Sequence, residues 1–327
     1  MMNISGRPSV ATALKRNTGQ PFFVPDGNRG SVTVLEFLLR DVLLNIQPLQ
    51  EDHDKRLRII AKITAVLQDL EPLKGASIKP FGSFVSNLYT RWGDLDISIE
   101  LLADGRQSLE VGKNKKRRIL SSIKQALTKR GVTRSVQFIP TARVPLLIFE
   151  DAQSQISCDI SINNGSGFLK SKFLCWISEI DSRCRELIFM IKYWAKAHNI
   201  NDPKTGTLNS FSLSLLVIFH LQTQSPPILP PVKDIYDGDV VSDISGMNGM
   251  NEMQIENRCI HNARKFKQQG FGSENKSTIV DLFVSFFAQY TSVAEKWLTG
   301  FAVCTFTGKW INTFSSECRI KKRYAIT

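Results

Sequence analysis

Residues 81–99, FGSFVSNLYTRWGDLDISI, constrain the fold of this 327-residue chain more than any other stretch. Asp94-Leu95-Asp96 opens an alternating, β-branched run that reads as a strand over residues 94–102. Residues i and i+2 of a strand share a face, so Asp94 and Asp96 stand side by side. Two carboxylates that close repel unless something neutralises them. A divalent cation such as Mg²⁺ is the natural neutraliser, because it prefers carboxylate and phosphate oxygens. Ten residues separate Asp94 from Gly82-Ser83, a small turn able to bring backbone N–H groups against a phosphate where a helix starts. Paired carboxylates beside a phosphate grip are equipment for chemistry on nucleotides.

Length and charge support that direction. A chain of 327 residues suits two domains of ordinary size, and 42% hydrophobic residues predicts a packed protein. The net charge of +12 favours a polyanionic partner, most simply nucleic acid. The six cysteines (Cys158, Cys175, Cys184, Cys259, Cys304, Cys318) show no CxxC or zinc spacing, and the four histidines form no cluster. Scattered thiols suit a reducing compartment, the cytoplasm or the nucleus. The first twenty residues lack the apolar core of a secretory signal, and no apolar run reaches membrane-spanning length. A soluble, intracellular protein with no membrane association is expected.

Residues 1–30, rich in Gly, Pro, Asn and Ser, read as a loose arm. Helical spacing then covers residues 31–48, with Ser31 as N-cap and Pro48 as stop, and residues 52–70. A strand leads into Gly82-Ser83, and a short helix is expected over 83–89. After the 94–102 strand come a basic helix at 113–129 and strands at 136–139, 144–150 and 155–162. The last of these, QISCDISI, places Ser157, Asp159 and Ser161 on one face and apolar residues on the other. Beyond Asn164 strands mostly cease, and helices are expected at 168–177, 183–198, 211–222, 255–268 and 277–290, with a flexible loop at 237–251.

Asp94, Asp96 and Asp159 are the candidate catalytic and metal-binding residues. Neighbouring strands would unite them, and three carboxylates around one or two Mg²⁺ ions suit in-line displacement at phosphorus. Asp159 would serve the hydroxyl side and act as general base. Lys192 and Lys196 share a helix face, which reads either as a solvated basic face or as a grip on a triphosphate. Asn209-Ser210-Phe211 reads either as a helix cap beside a core aromatic or as a phosphate-bonding hydroxyl beside a base-stacking ring. Lys115, Lys116, Arg117 and Arg118 form a basic run suited to RNA phosphates or to a solvated helix face, and Lys321, Lys322 and Arg323 form another.

These parts, in this order, resemble the DNA polymerase β-like nucleotidyltransferase superfamily. Its Gly-Ser, Asp-x-Asp and later Asp are met by Gly82-Ser83, Asp94-Leu95-Asp96 and Asp159. The strand Cys158 to Asn164, the helix KYWAK (192–196), the segment GTLNSF (206–211) and the helix LFVSFFAQY (282–290) look like the non-canonical poly(A) polymerase and terminal uridylyltransferase branch. The likeness covers about residues 31–327 and is nearest to plant uridylyltransferases that tail small RNAs lacking 3′ methylation. It implies Asp94, Asp96 and Asp159 as ligands of Mg²⁺ or Mn²⁺. It also implies Gly82, Ser83, Lys192, Lys196 and Ser210 on the triphosphate, and Phe211 on the uracil of UTP. RNA 3′ ends are the implied partner, with small-RNA effector proteins as further candidates. Phe211 stands where relatives often carry Tyr. Relatives also continue into an EDPF-type segment with a His that favours UTP over ATP, and this sequence ends before it.

The expectation is an α+β protein. A mixed-sheet nucleotidyltransferase domain (72–165) is inserted in a helical central domain (31–71 and 166–327), and adds UMP to RNA without a template. The alternatives are a poly(A) polymerase using ATP and an inactive RNA-binding module.

Overall fold

The computed structural model describes residues 30–103, 107–108, 111–238, 252–314 and 325–326. Two helices open it, α1 (Gly30–Ile46) and α2 (Gln50–Gln68). A strand and one helical turn follow, β1 (Ser77–Phe81) and α3 (Gly82–Val85), then β2 (Leu95–Glu100) and the short hairpin β3 (Leu102–Ala103) and β4 (Gln107–Ser108). Next come α4 (Lys113–Lys129), β5 (Val136–Ile139), β6 (Leu146–Glu150) and β7 (Ser157–Ile162). The remainder is largely helical: α5 (Gly165–Ser178), α6 (Ser182–Ala197), α7 (Ser210–Gln222), α8 (Val232–Ile235), α9 (Glu252–Gln268), α10 (Ile279–Tyr290) and α11 (Val293–Leu298). A small sheet closes it, with β8 (Phe301–Cys304), β9 (Lys309–Asn312) and β10 (Ala325–Ile326).

The main sheet has the order β1-β2-β7-β6-β5, with β2 and β7 parallel and the other pairs antiparallel. Strand alternation divides its faces. Leu95, Ile97 and Ile99 of β2 and Cys158, Ile160 and Ile162 of β7 are fully buried. They meet Ile59, Ile63, Val66 and Leu67 of α2 and Ile119, Leu120, Ile123 and Leu127 of α4 in one cluster. The three- and four-residue spacings of those helical positions put each set on one stripe. The opposite face carries Asp96, Ser98 and Glu100 of β2 and Ser157, Asp159 and Ser161 of β7.

A second cluster is built around α6 and α7. Every residue from Leu213 to Gln222 is buried, so α7 is an axial helix with apolar neighbours on all sides. Leu39, Leu43 and Ile46 of α1 pack here, together with Leu282 and Phe286 of α10. Asn209 caps α7 by accepting from the Ser212 N–H at 2.8 Å, and Thr278 with Asp281 forms a reciprocal capping box at α10.

Several sequence expectations shift. Ser31 lies inside α1 rather than capping it, and that helix stops at Ile46, before Pro48. The helix after Gly82-Ser83 is a single turn, ended by Asn87 at φ 55°. Asp94 precedes β2 rather than opening it. Helix α2, assigned from sequence to the helical part, gives its apolar stripe to the sheet. Strands do return after Asn164, as the β8–β9 hairpin, whose turn carbonyls at Thr305 and Phe306 accept from Val232 and Lys233. Four-residue strands carry too little alternation to stand out from neighbouring helices. The arm 1–29, most of the loop 237–251, Cys318, and the run Lys321 to Arg323 lie outside the described residues. The five described cysteines are free thiols, and no helix among the described residues is long and apolar enough to cross a membrane.

Candidate active site

The parallel pairing of β2 and β7 decides where the carboxylates meet. Its register sets Asp96 directly opposite Asp159. Neighbouring strands lie about 4.8 Å apart, and side chains in register share a face. Asp94 stands two residues before Asp96, exposed where the chain enters the sheet. On the other side Phe81 pairs with Asp96, so the Gly82 turn abuts the same carboxylate. A methyl group at Gly82 would overlap Oδ2 of Asp96 and lie 2.7 Å from its Cγ. Gly82 also adopts φ 69°, where L side chains are strained. Glycine is therefore required twice over, by backbone and by space.

The electrostatics match three anions held close. Burial, then the neighbouring Asp159 and Asp94, push the Asp96 carboxyl up to about 7, against the pull of Lys192. Burial and Asp94 push Asp159 up to about 6, opposed by Lys204. Lys192 reaches the site from α6 and donates to the Leu88 carbonyl at 3.0 Å. Its burial, and Lys196 one turn further on, lower the ammonium to about 8 while Asp96 and Asp94 raise it. The helix thus sets one cation against the carboxylates and a second, exposed one beyond it.

Asp94, Asp96 and Asp159 offer carboxylate oxygens, which fit a hard divalent cation, and a cation would relieve the repulsion that raises Asp96 and Asp159. Among the described residues no three His, Cys, Asp or Glu side chains close into a ready cage.

Other predicted site residues are placed less simply. The Gly82 N–H is taken by Ser171 Oγ at 2.7 Å, and that hydroxyl donates in turn to the Gly167 carbonyl, so the amide is engaged within the fold. Ser210 is the first residue of α7 rather than its cap, and its Oγ pairs with the Asn201 side chain at 3.1 Å. Phe211 is half-buried against the helical core, with the Lys170 ammonium 5.3 Å from its ring centroid. The basic run of α4 divides. Lys116 donates to the Ile162 carbonyl and Arg117 to the Pro140 carbonyl, both at 2.9 Å, whereas Lys115 and Arg118 are exposed. Ile162 ends β7, three residues past Asp159, or about 10 Å along the strand at about 3.3 Å per residue. The run therefore sits at the far end of the sheet from the carboxylates.

Sequence reasoning missed Arg185 and Arg56, and the part Lys192 plays, in holding the loop between Gly82-Ser83 and Asp94. Arg185 donates to the Asn87 carbonyl at 3.0 Å and Lys192 to that of Leu88. Arg56, wholly buried, reaches the carbonyls of Arg91 and Gly93. A signal was available: Arg56 falls on the α2 stripe of Ile59, Ile63 and Val66, where a charged residue needs a buried partner.

Residues 35–179 match the family model of the poly(A) RNA polymerase, mitochondrial-like, central palm domain. The match takes in a little under half of the chain. Protein HESO1 of Arabidopsis thaliana is 47% identical over 292 residues, covering 89% of this chain and 57% of its own length. The poly(A) RNA polymerase cid13 of Schizosaccharomyces pombe is 30% identical over 254 residues, covering 76% of this chain and 39% of its own. The chain thus spans little more than half the length of the first relative and less of the second. Among solved structures, the GLD-2/RNP-8 complex superposes with a TM-score of 0.70 at 22% identity, covering 88% of this chain and 82% of that one. Cid1 superposes with a TM-score of 0.62 at 20% identity, over 86% of this chain and 76% of its own. The palm and the helical half that faces it therefore share the fold of these nucleotidyltransferases.

Proposed function

We propose that the chain is a template-independent RNA 3′-terminal nucleotidyltransferase that uses UTP. The observation that carries this reading is the in-register pair Asp96–Asp159, with Asp94 beside it, packed against the Gly82 turn and faced by Lys192. On this reading the RNA 3′-hydroxyl attacks the α-phosphorus and pyrophosphate departs in line. Asp94, Asp96 and Asp159 hold a divalent cation, Mg²⁺ or Mn²⁺, which when bound activates the hydroxyl and offsets charge on the triphosphate. Asp159 faces the hydroxyl and accepts its proton. Lys192, Lys196 and Ser210 meet the triphosphate, with Gly82 and Ser83 shaping the turn against it. Phe211 offers its ring to the base, which requires Lys170 to leave one face. Exposed Lys115 and Arg118 serve RNA at a distance from the chemistry.

The preference for UTP is supported by the likeness to the uridylyltransferase branch and by Cid1, a structural neighbour with RNA terminal uridylyl transferase activity. The second reading, ATP as substrate, is favoured by the poly(A) polymerase family of the palm and by cid13. In mtPAP one fold holds ATPγS, GTP and UTP, so the fold alone does not choose the base. Extension of small RNAs with 2′-hydroxyl or 2′-O-methyl ends, one nucleoside triphosphate at a time, tests the proposal. Extension by UTP that a 2′-O-methyl group blocks supports it. Preference for ATP replaces UTP in the reading, and no extension of any RNA leaves an RNA-binding module.

A further inference from the structure

Arg56 is fully buried, and what its guanidinium meets among the described residues is backbone and an aromatic ring. Its guanidinium is spent on backbone carbonyls. Nη1 donates to Asp52 in its own helix at 2.8 Å, and Nη2 reaches Arg91 at 3.4 Å and Gly93. One face lies 4.5 Å from the Tyr89 ring centroid, and Tyr89 is itself buried. The residue after Gly93 is Asp94. The same helix braces the loop twice more: Asp52 Oδ2 stands 3.3 Å from Arg91 Nε, and His53 packs on Phe84, which packs on Tyr89. Burying a guanidinium is expensive unless its donors are used, and a planar fork can meet several acceptors that an ammonium cannot. Nη2 is used on the segment that delivers Asp94 to the sheet edge, Nη1 stays with its own helix, and Nε is left without a partner.

We propose that Arg56 is a positioning residue that sets Asp94 relative to Asp96 and Asp159 by fixing the carbonyls of Arg91 and Gly93. The inference rests on the nucleotidyltransferase reading of the three carboxylates. Arg56 touches neither substrate nor metal; it acts through the loop at 89–93. Lysine retains the charge and length but offers one ammonium in place of the fork.

The test compares the unmutated chain, Arg56→Lys, Arg56→Met and Asp94→Ala, by steady-state UTP addition and by hydrogen exchange of backbone amides. In Arg56→Lys we expect kcat to fall about tenfold to a hundredfold, the scale of a misplaced catalytic group. KM for UTP stays within about threefold, since Lys192, Lys196 and Phe211 are untouched. Exchange quickens at amides 88–95 and stays unchanged in the centre of α7. Wild-type kcat in a folded Arg56→Lys chain overturns the proposal, as does faster exchange spread through α2 and the sheet, which marks a plain core residue. If Arg56→Met fails to fold, Arg56→Lys decides alone. If the unmutated chain adds no nucleotide, the nucleotidyltransferase reading fails, and the exchange pattern still decides whether Arg56 fixes this loop.

Discussion

Replacing Gly82 by alanine separates a backbone cost from a catalytic one. The φ of 69° costs an L residue about 1–2 kcal/mol. The new methyl also overlaps the Asp96 carboxylate, which is the free end of a side chain and can rotate away. Relief of the overlap is therefore cheap in stability and costly in geometry, because Asp96 leaves its place opposite Asp159. A displacement of about 1 Å in a reacting constellation lowers turnover by about a hundredfold. Gly75 supplies the control: it has φ 85°, and nothing lies within 4 Å of an added methyl. Both Gly75→Ala and Gly82→Ala are expected to lose a few degrees of Tm. Only Gly82→Ala is expected to lose about a hundredfold in kcat for UTP addition, measured with the folded fraction checked by calorimetry. Equal activity in the two variants, or a Gly82→Ala turnover within about threefold of wild type, would refute the claim that this turn makes room for the carboxylate.

Asp94→Asn and Asp159→Asn should each abolish detectable extension while RNA affinity, read by filter binding, changes little, because the +12 charge supplies most of that affinity. Chelation with EDTA should stop extension, and added Mg²⁺ or Mn²⁺ should restore it; full activity in EDTA would exclude the carboxylates as metal ligands. Phe211→Ala should raise KM for UTP about fivefold or more, since a stacked base is worth about 1–3 kcal/mol, and Phe211→Tyr should recover it. Asp151 offers a stability test away from the site. Burial raises its carboxyl, but bonds from Lys62 and Ser154 outweigh this and hold it below the ordinary range. Its contribution is thus complete above the unfolded carboxyl value of about 4 and is lost as pH falls through the lower folded value. Asp151→Asn should lower Tm at pH 7 and flatten that acid limb in a calorimetric pH series.

The faces of Asp96 and Asp159 were legible because both sit in alternating strands, where period two alone assigns the face, whereas Asp94 lies just before β2. The elements around them were legible for similar reasons: α4 occupies residues 113–129, as its spacing predicts. The partners of the loop anchors were not legible, although Arg56 stood out on its apolar stripe and Lys192 as a candidate cation. Arg56, Arg185 and Lys192 lie 35, 98 and 104 residues from the carbonyls they hold, and their partners are backbone atoms that leave no mark on residue identity. Ser171 escaped notice for the same reason, since its role is to take the Gly82 amide. The basic run misled in the opposite sense, because Lys116 and Arg117 read as free charge but close the end of the sheet.

By itself, the sequence determined the chemistry available: acidic residues at alternating strand positions, a glycine where the chain turns, and lysines one helical turn apart. Those follow from local periodicity, which neighbouring residues carry. The tertiary structure decided which of these groups meet. Only the parallel pairing of β2 with β7 puts Asp159 opposite Asp96, and only the placement of α6 brings Lys192 to Asp96 and Asp94. Register between strands more than fifty residues apart is set by the burial of Leu95, Ile97, Ile99, Cys158, Ile160 and Ile162 against two helices. That is a property of the whole core and of no single segment.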